Sequence, residues 1–208
     1  DYARRTSAGT RMPRTSWNLL SNFGFGLPSL PEQRKIATIL YTVDRAIEKT
    51  EAVIEQVERL EKGTIQALLS DGTRDSVAKK DTPIGEIPEH WDVRQVGDLT
   101  NVTVGYVQNI DGHFSNSDNG IRLYRTKDIS SRGLQVEDES YVTREFHADN
   151  KGSQLTAGDL IVARHGNSGQ AAVIPKSTPE AHCQNVVIVR SSDEFVSTFL
   201  EYLFNYEV

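Results

Sequence analysis

Along residues 31–69 the only helix breaker after Pro31 is Gly63, and Ile36, Leu40, Val43, Ile47, Thr50, Ile54 and Val57 recur at spacings of 4, 3, 4, 3, 4 and 3. A seven-residue repeat puts every member on one stripe of a helix. Left-handed supercoiling keeps such a stripe against a partner helix, whereas a helix lying on a globular core drifts toward a period of 3.6. Most residues of the run are good helix formers. Pro31 suits the first turn and Glu32 faces the positive end of the helix dipole. Ser70-Asp71-Gly72 is the stop, with Gly72 just past the end. At about 1.5 Å per residue the rod is roughly 57 Å long, longer than a small domain is wide. After Val57 the apolar positions shift to Leu60, Thr64, Ile65 and Leu68, near Gly63, so the last two turns pack differently. Arg45, Glu48, Lys49, Glu51, Glu55, Glu58, Arg59 and Lys62 leave only a narrow apolar face, which argues against a helix enclosed in one compact domain. No second repeat of this length occurs, so the partner helix is expected from another molecule or from sequence not present here.

The flanks read differently. Residues 73–90 (TRDSVAKKDTPIGEIPEH) are polar, contain two prolines and read as a linker. From Trp91 onward, short β-type runs alternate with turn residues, over 93–96, 101–107, 121–124, 140–143, 160–163, 171–174 and 186–189, and a helical run follows over 195–206. The expected fold class is therefore α+β: a long coiled-coil-type spacer helix joined to a mostly antiparallel β-rich domain over 91–208. That domain stops at Val208 without a cap or closing strand and reads as incomplete at its C-terminus. Residues 1–30 are too few to hold a core, yet Trp17-Asn18-Leu19-Leu20 and Phe23-Gly24-Phe25-Gly26-Leu27-Pro28 read as a short helix and a strand that need something to pack on. They read as the C-terminal tail of a preceding domain.

Of the 208 residues, 23 are Lys or Arg and 29 Asp or Glu, a net charge of −6. Residues 1–30 carry four Arg against one Asp, residues 31–90 nine basic against twelve acidic, and residues 91–208 ten against sixteen. General coating of nucleic acid scales with the phosphates neutralised and is excluded, while a specific reader with local basic loops is not. Without a run of about 18 apolar residues or an apolar signal segment, a cytoplasmic protein is expected. Cys183 alone makes no disulfide, and His90, His113, His147, His165 and His182 fall at no metal-ligand spacing. No P-loop or GxGxxG occurs. Asp159-Leu-Ile-Val-Ala-Arg-His-Gly166 is similar to the phosphate-binding signature of the histidine phosphatases, with His182 as a conceivable second histidine. That motif opens an α/β domain of well over a hundred further residues, whereas here 42 residues follow Gly166, most of them β-like. The chain is expected to be no enzyme, with no cofactor and no metal.

Residues 27–72, LPSLPEQRKIATILYTVDRAIEKTEAVIEQVERLEKGTIQALLSDG, strongly resemble the central conserved region of the specificity (S) subunit of type I restriction-modification systems, including its Leu-Pro-x-Leu-Pro-Glu-Gln-Arg-Lys-Ile-Ala opening and its Leu-Leu-x-x-Gly close. IGEIPEHWDVRQVGDL (84–99) resembles the entry to a target recognition domain. YRTKDIS (124–130) and LTAGDLIVARHGNSGQAAVIP (155–175) resemble its internal blocks, and TRMPRTSWNLLSNFGFGLPSLPEQ (10–33) resembles the tail of a preceding one. The resemblance implies two recognition domains held apart by two antiparallel helices, each reading one half of a split DNA target. It divides the chain into a recognition-domain tail (1–30), a spacer helix (31–72), a linker (73–90) and a target recognition domain (91–208). It also implies, as partners, double-stranded DNA, methyltransferase (modification) subunits, a restriction/translocase subunit, and a second long helix from the same full-length chain or from a homodimer partner. The chain is then a fragment or a half-subunit, and catalysis belongs to the other subunits.

Sequence is read by side chains that reach base edges, Arg at guanine and Asn or Gln at adenine, while other polar groups hold phosphates. Three loops carry such groups. Tyr106, Gln108 and Asn109 offer an aromatic and an amide pair. Arg122, Arg125, Lys127 and Arg132 form the densest basic patch, relieved by Asp128. Arg164, His165, Asn167 and Ser168 sit in a turn whose glycines allow close backbone approach. The competing reading is a coiled-coil protein-binding scaffold whose loops are solvated turns without DNA contact, which the acidic balance favours.

Overall fold

The computed structural model describes residues 14–73, 78–190 and 193–206. The start of the expected N-terminal tail, residues 74–77 of the expected linker and the last two residues lie outside them. Two compact units divide the chain, Asp1–Val57 and Glu58–Val208.

In the first unit a short helix α1 (Trp17–Ser21) precedes α2 (Leu30–Asp71), which runs on into the second unit. The strand expected over residues 23–28 does not form, and Phe23 and Phe25 stack on each other at 6.1 Å instead. Two glycines in six residues weaken a strand. Along α2, Glu32 lies in the first turn as expected, and Gln33 donates through Nε2 to the Pro28 carbonyl (2.7 Å). Threonines are tolerated because Thr38, Thr42 and Thr50 each return their hydroxyl to the carbonyl four residues back (2.8–2.9 Å). Thr50 can thus occupy a position on the stripe without an unpaired hydroxyl. No described residue of 14–57 is buried. Ile36, Leu40, Val43, Ile47, Ile54 and Val57 are all exposed.

In the second unit α2 ends where expected. Gly72 takes φ +77°, its N–H donates to Leu68 O (3.1 Å), and a Cβ there would lie 3.0 Å from the Trp91 ring, so both backbone and space call for glycine. Within the expected linker the chain forms a hairpin, β1 (Lys79–Thr82) with β2 (Gly85–Pro88), closed by Gly85 at φ +107°. The strand expected over 93–96 is replaced by one turn of helix, α3 (Val96–Leu99), because Asp98 Oδ2 accepts the Gln95 N–H (3.3 Å) and caps its start.

Two sheets follow. The four-stranded sheet has the order β11 (Ala171–Val173), β10 (Leu160–Ala163), β13 (Val186–Arg190), β3 (Asn101–Val104). The five-stranded sheet has the order β4 (Phe114–Ser115), β8 (Ser140–Val142), β5 (Ile121–Arg125), β12 (Ala181–Gln184), β9 (Gln154–Leu155), in which only β5 and β12 run parallel. A small ribbon, β6 (Ile129–Ser130) with β7 (Gly133–Leu134), and the helix α4 (Arg144–Asp149) complete the connections. The last helix, α5 (Glu194–Asn205), agrees with the expected run.

The four-stranded sheet is covered on both faces, which is why its central strands read as unbroken apolar runs. Ile161, Ala163, Val186 and Ile188 join Tyr124, Ala181 and Cys183 of the other sheet in the main core. Leu160, Val162, Val187 and Val189 face the opposite way and pack with Leu200, Val196 and Leu203 of α5. The five-stranded sheet has a second core, Ile121, Leu123 and Val142 under Phe146 of α4. Class and architecture are α+β.

Candidate nucleic-acid interface

Asn185 alone joins β12 of one sheet to β13 of the other. It is the non-glycine residue with positive φ (+59°) among the described residues. Its N–H donates to the Tyr106 carbonyl (2.8 Å), and its own carbonyl accepts the Thr126 hydroxyl (2.8 Å). One backbone position therefore ties the 105–109 loop to the turn after β5.

The strand registers bring the rest to the same corner. Gln184 sits opposite Arg125 at the end of the parallel pair, bridges Tyr106, and donates through Nε2 to the Gln108 carbonyl (2.9 Å). Val186 sits opposite Ala163, so the chain leaves β10 as Arg164 beside this corner. Gly105 donates to Val186 O (3.0 Å). The 164–169 turn is closed by Gly169 N–H to Ala163 O (3.1 Å), with Gly166 at φ +67° and Gly169 at φ +89°. Asn167 Nδ2 then reaches Ile129 O (3.2 Å). Three loops that are far apart in sequence share one rim.

Their side chains are unequally available. Tyr106 is half-buried, edge-on to Phe146 at 5.0 Å, and anchors its loop. Gln108 is exposed, and Asn109 closes a local turn on Asp111, accepting its N–H at 2.8 Å. The Arg122 guanidinium is held by Glu139 (2.7 Å) and Tyr141 OH (3.2 Å), between the rings of Tyr124 and Tyr141. Burial works against its charge, but the bonds to Glu139 and Tyr141 outweigh it and raise its pKa. Arg125 donates to Ser140 Oγ (2.7 Å). Asp128, expected to balance the basic patch, is buried and instead accepts the Arg125 backbone N–H (2.8 Å), with burial raising its pKa. Lys127 meets the Asp138 carbonyl (3.3 Å) and carboxylate (4.0 Å), and Arg132 pairs with Glu58 (2.7 Å). These exposed pairs contribute little, so Lys127 can exchange Asp138 for a phosphate at small cost.

Arg164 and His165 are exposed, and among the described residues neither side chain has a partner. Ser168 Oγ donates to the Arg164 carbonyl (3.1 Å) and stiffens the turn. Between this turn and the 126–138 segment lies a groove of about 260 Å³, lined by Lys127, Asp138 and Asn167 among others. Sequence reasoning passed over Gln184, Asn185 and Thr126. The signal for the first two is an amide pair that interrupts the apolar run AHCQNVVIV. Among the described residues no three His, Cys, Asp or Glu side chains gather to hold a metal, and no helix is long and apolar enough to cross a membrane.

The rim rests on a tight crossing. A Cβ on Gly105 would lie 2.5 Å from Cys183 Sγ and 3.4 Å from the carbonyls of Cys183 and Val186. Gly105→Ala is expected to destabilise the unit by about 1–3 kcal/mol through overpacking. Urea unfolding checks this, and an unchanged midpoint would mean that the crossing yields freely.

Residues 2–59 match the family described as Type I restriction modification DNA specificity domain. The MjaVIII type I specificity subunit of Methanocaldococcus jannaschii is 25% identical over 165 residues, covering 78% of this chain and 37% of that protein. The putative MjaX type I specificity subunit of the same organism is 36% identical over 78 residues, or 38% of this chain and 18% of that one. This chain thus spans little more than a third, or less, of these relatives' length. Among solved structures, a chain from work on complex assembly and conformational transition of the type I R-M system aligns with a TM-score of 0.58 at 16% identity, covering 94% of this chain and 47% of that one. At that identity the likeness concerns the fold.

Proposed function

We propose that this chain, which belongs to the type I restriction-modification specificity-subunit family, reads one half of a split double-stranded DNA target through the rim around Asn185. The observation that carries this is the convergence of residues 105–109, 125–127 and 164–169 on one corner, where Arg164 is a cation without a partner among the described residues and Gln108 an exposed amide. Arg and amide donors on a rigid, glycine-shaped turn suit base edges, whereas Lys127 suits a phosphate. The partly buried Arg122 and Tyr106 hold the loops in shape, and Asn109 shares its amide with Asp111.

In this reading residues 91–208 form the target recognition domain, α2 is the spacer, and residues 1–30 belong to a neighbouring domain. The protein is non-catalytic and acts in the cytoplasm. Modification subunits supply methyl transfer, a restriction/translocase subunit supplies cleavage, and together they neutralise most phosphates, since this chain's net charge is −6. The stripe on α2 meets a second long helix, from the same full-length chain or from a homodimer partner.

Arg164→Ala and Asn167→Ala test the rim in the assembled methyltransferase. Each is expected to change which sequences are methylated, with discrimination falling by about 1–3 kcal/mol at one base pair for a lost bidentate contact. Sequencing of methylated sites reads this out. Wild-type sites methylated at wild-type efficiency by both variants would remove the 164–169 turn from the reading surface. A scaffold without DNA contact would leave labelled DNA unshifted, whatever its sequence, when chain and methyltransferase partner are mixed.

A further inference from the structure

We infer that Asn185 is itself a specificity-determining residue, whose side-chain amide reads an adenine at the centre of the target half-site. The inference rests on the DNA-reading function proposed above and adds a residue outside the three loops first considered.

The backbone at position 185 requires a left-handed conformation, φ +59°, which β-branched and bulky residues resist and Gly, Asn and Asp tolerate. The main-chain demand there is already met in full, since the N–H is given to Tyr106 O and the carbonyl to the Thr126 hydroxyl. Glycine would satisfy that demand with less strain. What asparagine adds is an amide. This amide is partly exposed and has no hydrogen-bond partner among the described residues. It lies between Gln184, opposite Arg125, and Val186, opposite Ala163, at the point the three loops surround.

Asn185 is also held from both sides by main-chain bonds, so its side chain starts from a fixed Cα with few torsions left to order. An amide presents one donor and one acceptor side by side, the complement of adenine N7 and N6 in the major groove. The flanking Gln184 is already engaged through Nε2 with the Gln108 carbonyl and positions that loop.

The test is selection of bound duplexes from a random pool by the complex of this chain with its methyltransferase subunits, using wild type, Asn185→Gly and Asn185→Asp. Both variants tolerate the backbone. Asn185→Gly is expected to lose preference at a single position by roughly 5- to 150-fold while the rest of the half-site and the thermal midpoint are kept. Asn185→Asp, now an acceptor only, is expected to move the preferred base at that position from adenine to cytosine. Unchanged preference at every position in both variants overturns the inference and leaves the DNA-reading function standing. A lowered midpoint with preference lost at all positions also overturns it, because the residue then acts only through the fold. If the wild-type complex selects no sequence at all, the DNA-reading function falls and this inference with it.

Discussion

Acidification from about pH 7 to about pH 4.5 is expected to weaken the fold of the β-rich unit through one buried histidine pair, with a loss of about 2–3 kcal/mol from His182. His182, on β12, is fully buried under Phe146, and its Nδ1 lies 3.3 Å from Nδ1 of His147 on α4. Two neutral rings can share that contact only if one donates. His147 Nε2 faces the Glu180 carboxylate at 3.8 Å, and on that geometry we assign the His147 proton to Nε2 and the donor of the pair to His182 Nδ1. The orphan buried atom, His182 Nε2, is then an acceptor. Burial, assisted by His147, pushes the His182 pKa down to about 4 from 6.5. Burial also lowers His147, which Glu180 opposes and Arg144 reinforces. For a base with a depressed folded pKa, both states are neutral above 6.5, and stability there is independent of pH. Between 6.5 and about 4 the unfolded chain takes up the proton and the folded one does not, so stability falls as pH falls. Asp128 and Glu201, whose carboxyls burial raises, act in the opposite direction and reduce the net loss. Urea unfolding across this range measures the slope. His182→Asn keeps an amide N–H near the place of Nδ1 and does not titrate. Equal slopes in the two proteins would sink this assignment.

The same residues show what the sequence made legible and what it did not. The long helix was readable because a period of 3.5 survives any context and Gly72 fixes its end. The run 160–163 was readable as a strand because both faces of its sheet are covered, so every residue is apolar. Strand β12 escaped notice. Its four residues, Ala-His-Cys-Gln, alternate but include no β-branched or aromatic side chain, and its histidine is buried against Phe146 and His147 of α4. Strands β4, β6, β7 and β9 have two residues each, too short for alternation to register. The hairpin β1–β2 is polar and largely exposed, so composition alone could not separate it from a linker. For the candidate rim, sequence supplied the loops but not their meeting. That depends on the parallel pairing of β12 with β5 across some sixty residues of chain, which leaves no local trace, and on the switch between sheets at Asn185, whose one trace is the amide pair in AHCQNVVIV. The four cations of the basic patch differ in availability for a similar reason, since Glu139, Asp138 and Glu58 reach three of them.

Leu40→Glu combined with Ile47→Glu is expected to uncouple α2 from its proposed partner helix while leaving the isolated chain as stable as before. The two side chains are 58% and 51% exposed in the chain by itself, so nothing in it depends on their burial. No described residue of 14–57 is buried, so these described residues owe little to any one apolar side chain among them. A covered stripe behaves otherwise. Burying a Leu or Ile is worth about 1.5–3 kcal/mol, so losing both removes about 3–6 kcal/mol of helix pairing, a weakening of roughly 10²- to 10⁴-fold. The glutamates add the cost of placing charge in an apolar seam. A straight helix turns such a stripe by about 20° per seven residues, so three repeats demand supercoiling about the partner, and both substituted positions then lie inside the contact. Amide hydrogen exchange along residues 36–57, followed in the assembly with the methyltransferase subunits, distinguishes the two states. Slow exchange in wild type and fast exchange in the double variant is the expected result. Equally fast exchange in both would show that the stripe is not covered, and equally slow exchange would show that the helix is held by something other than this face.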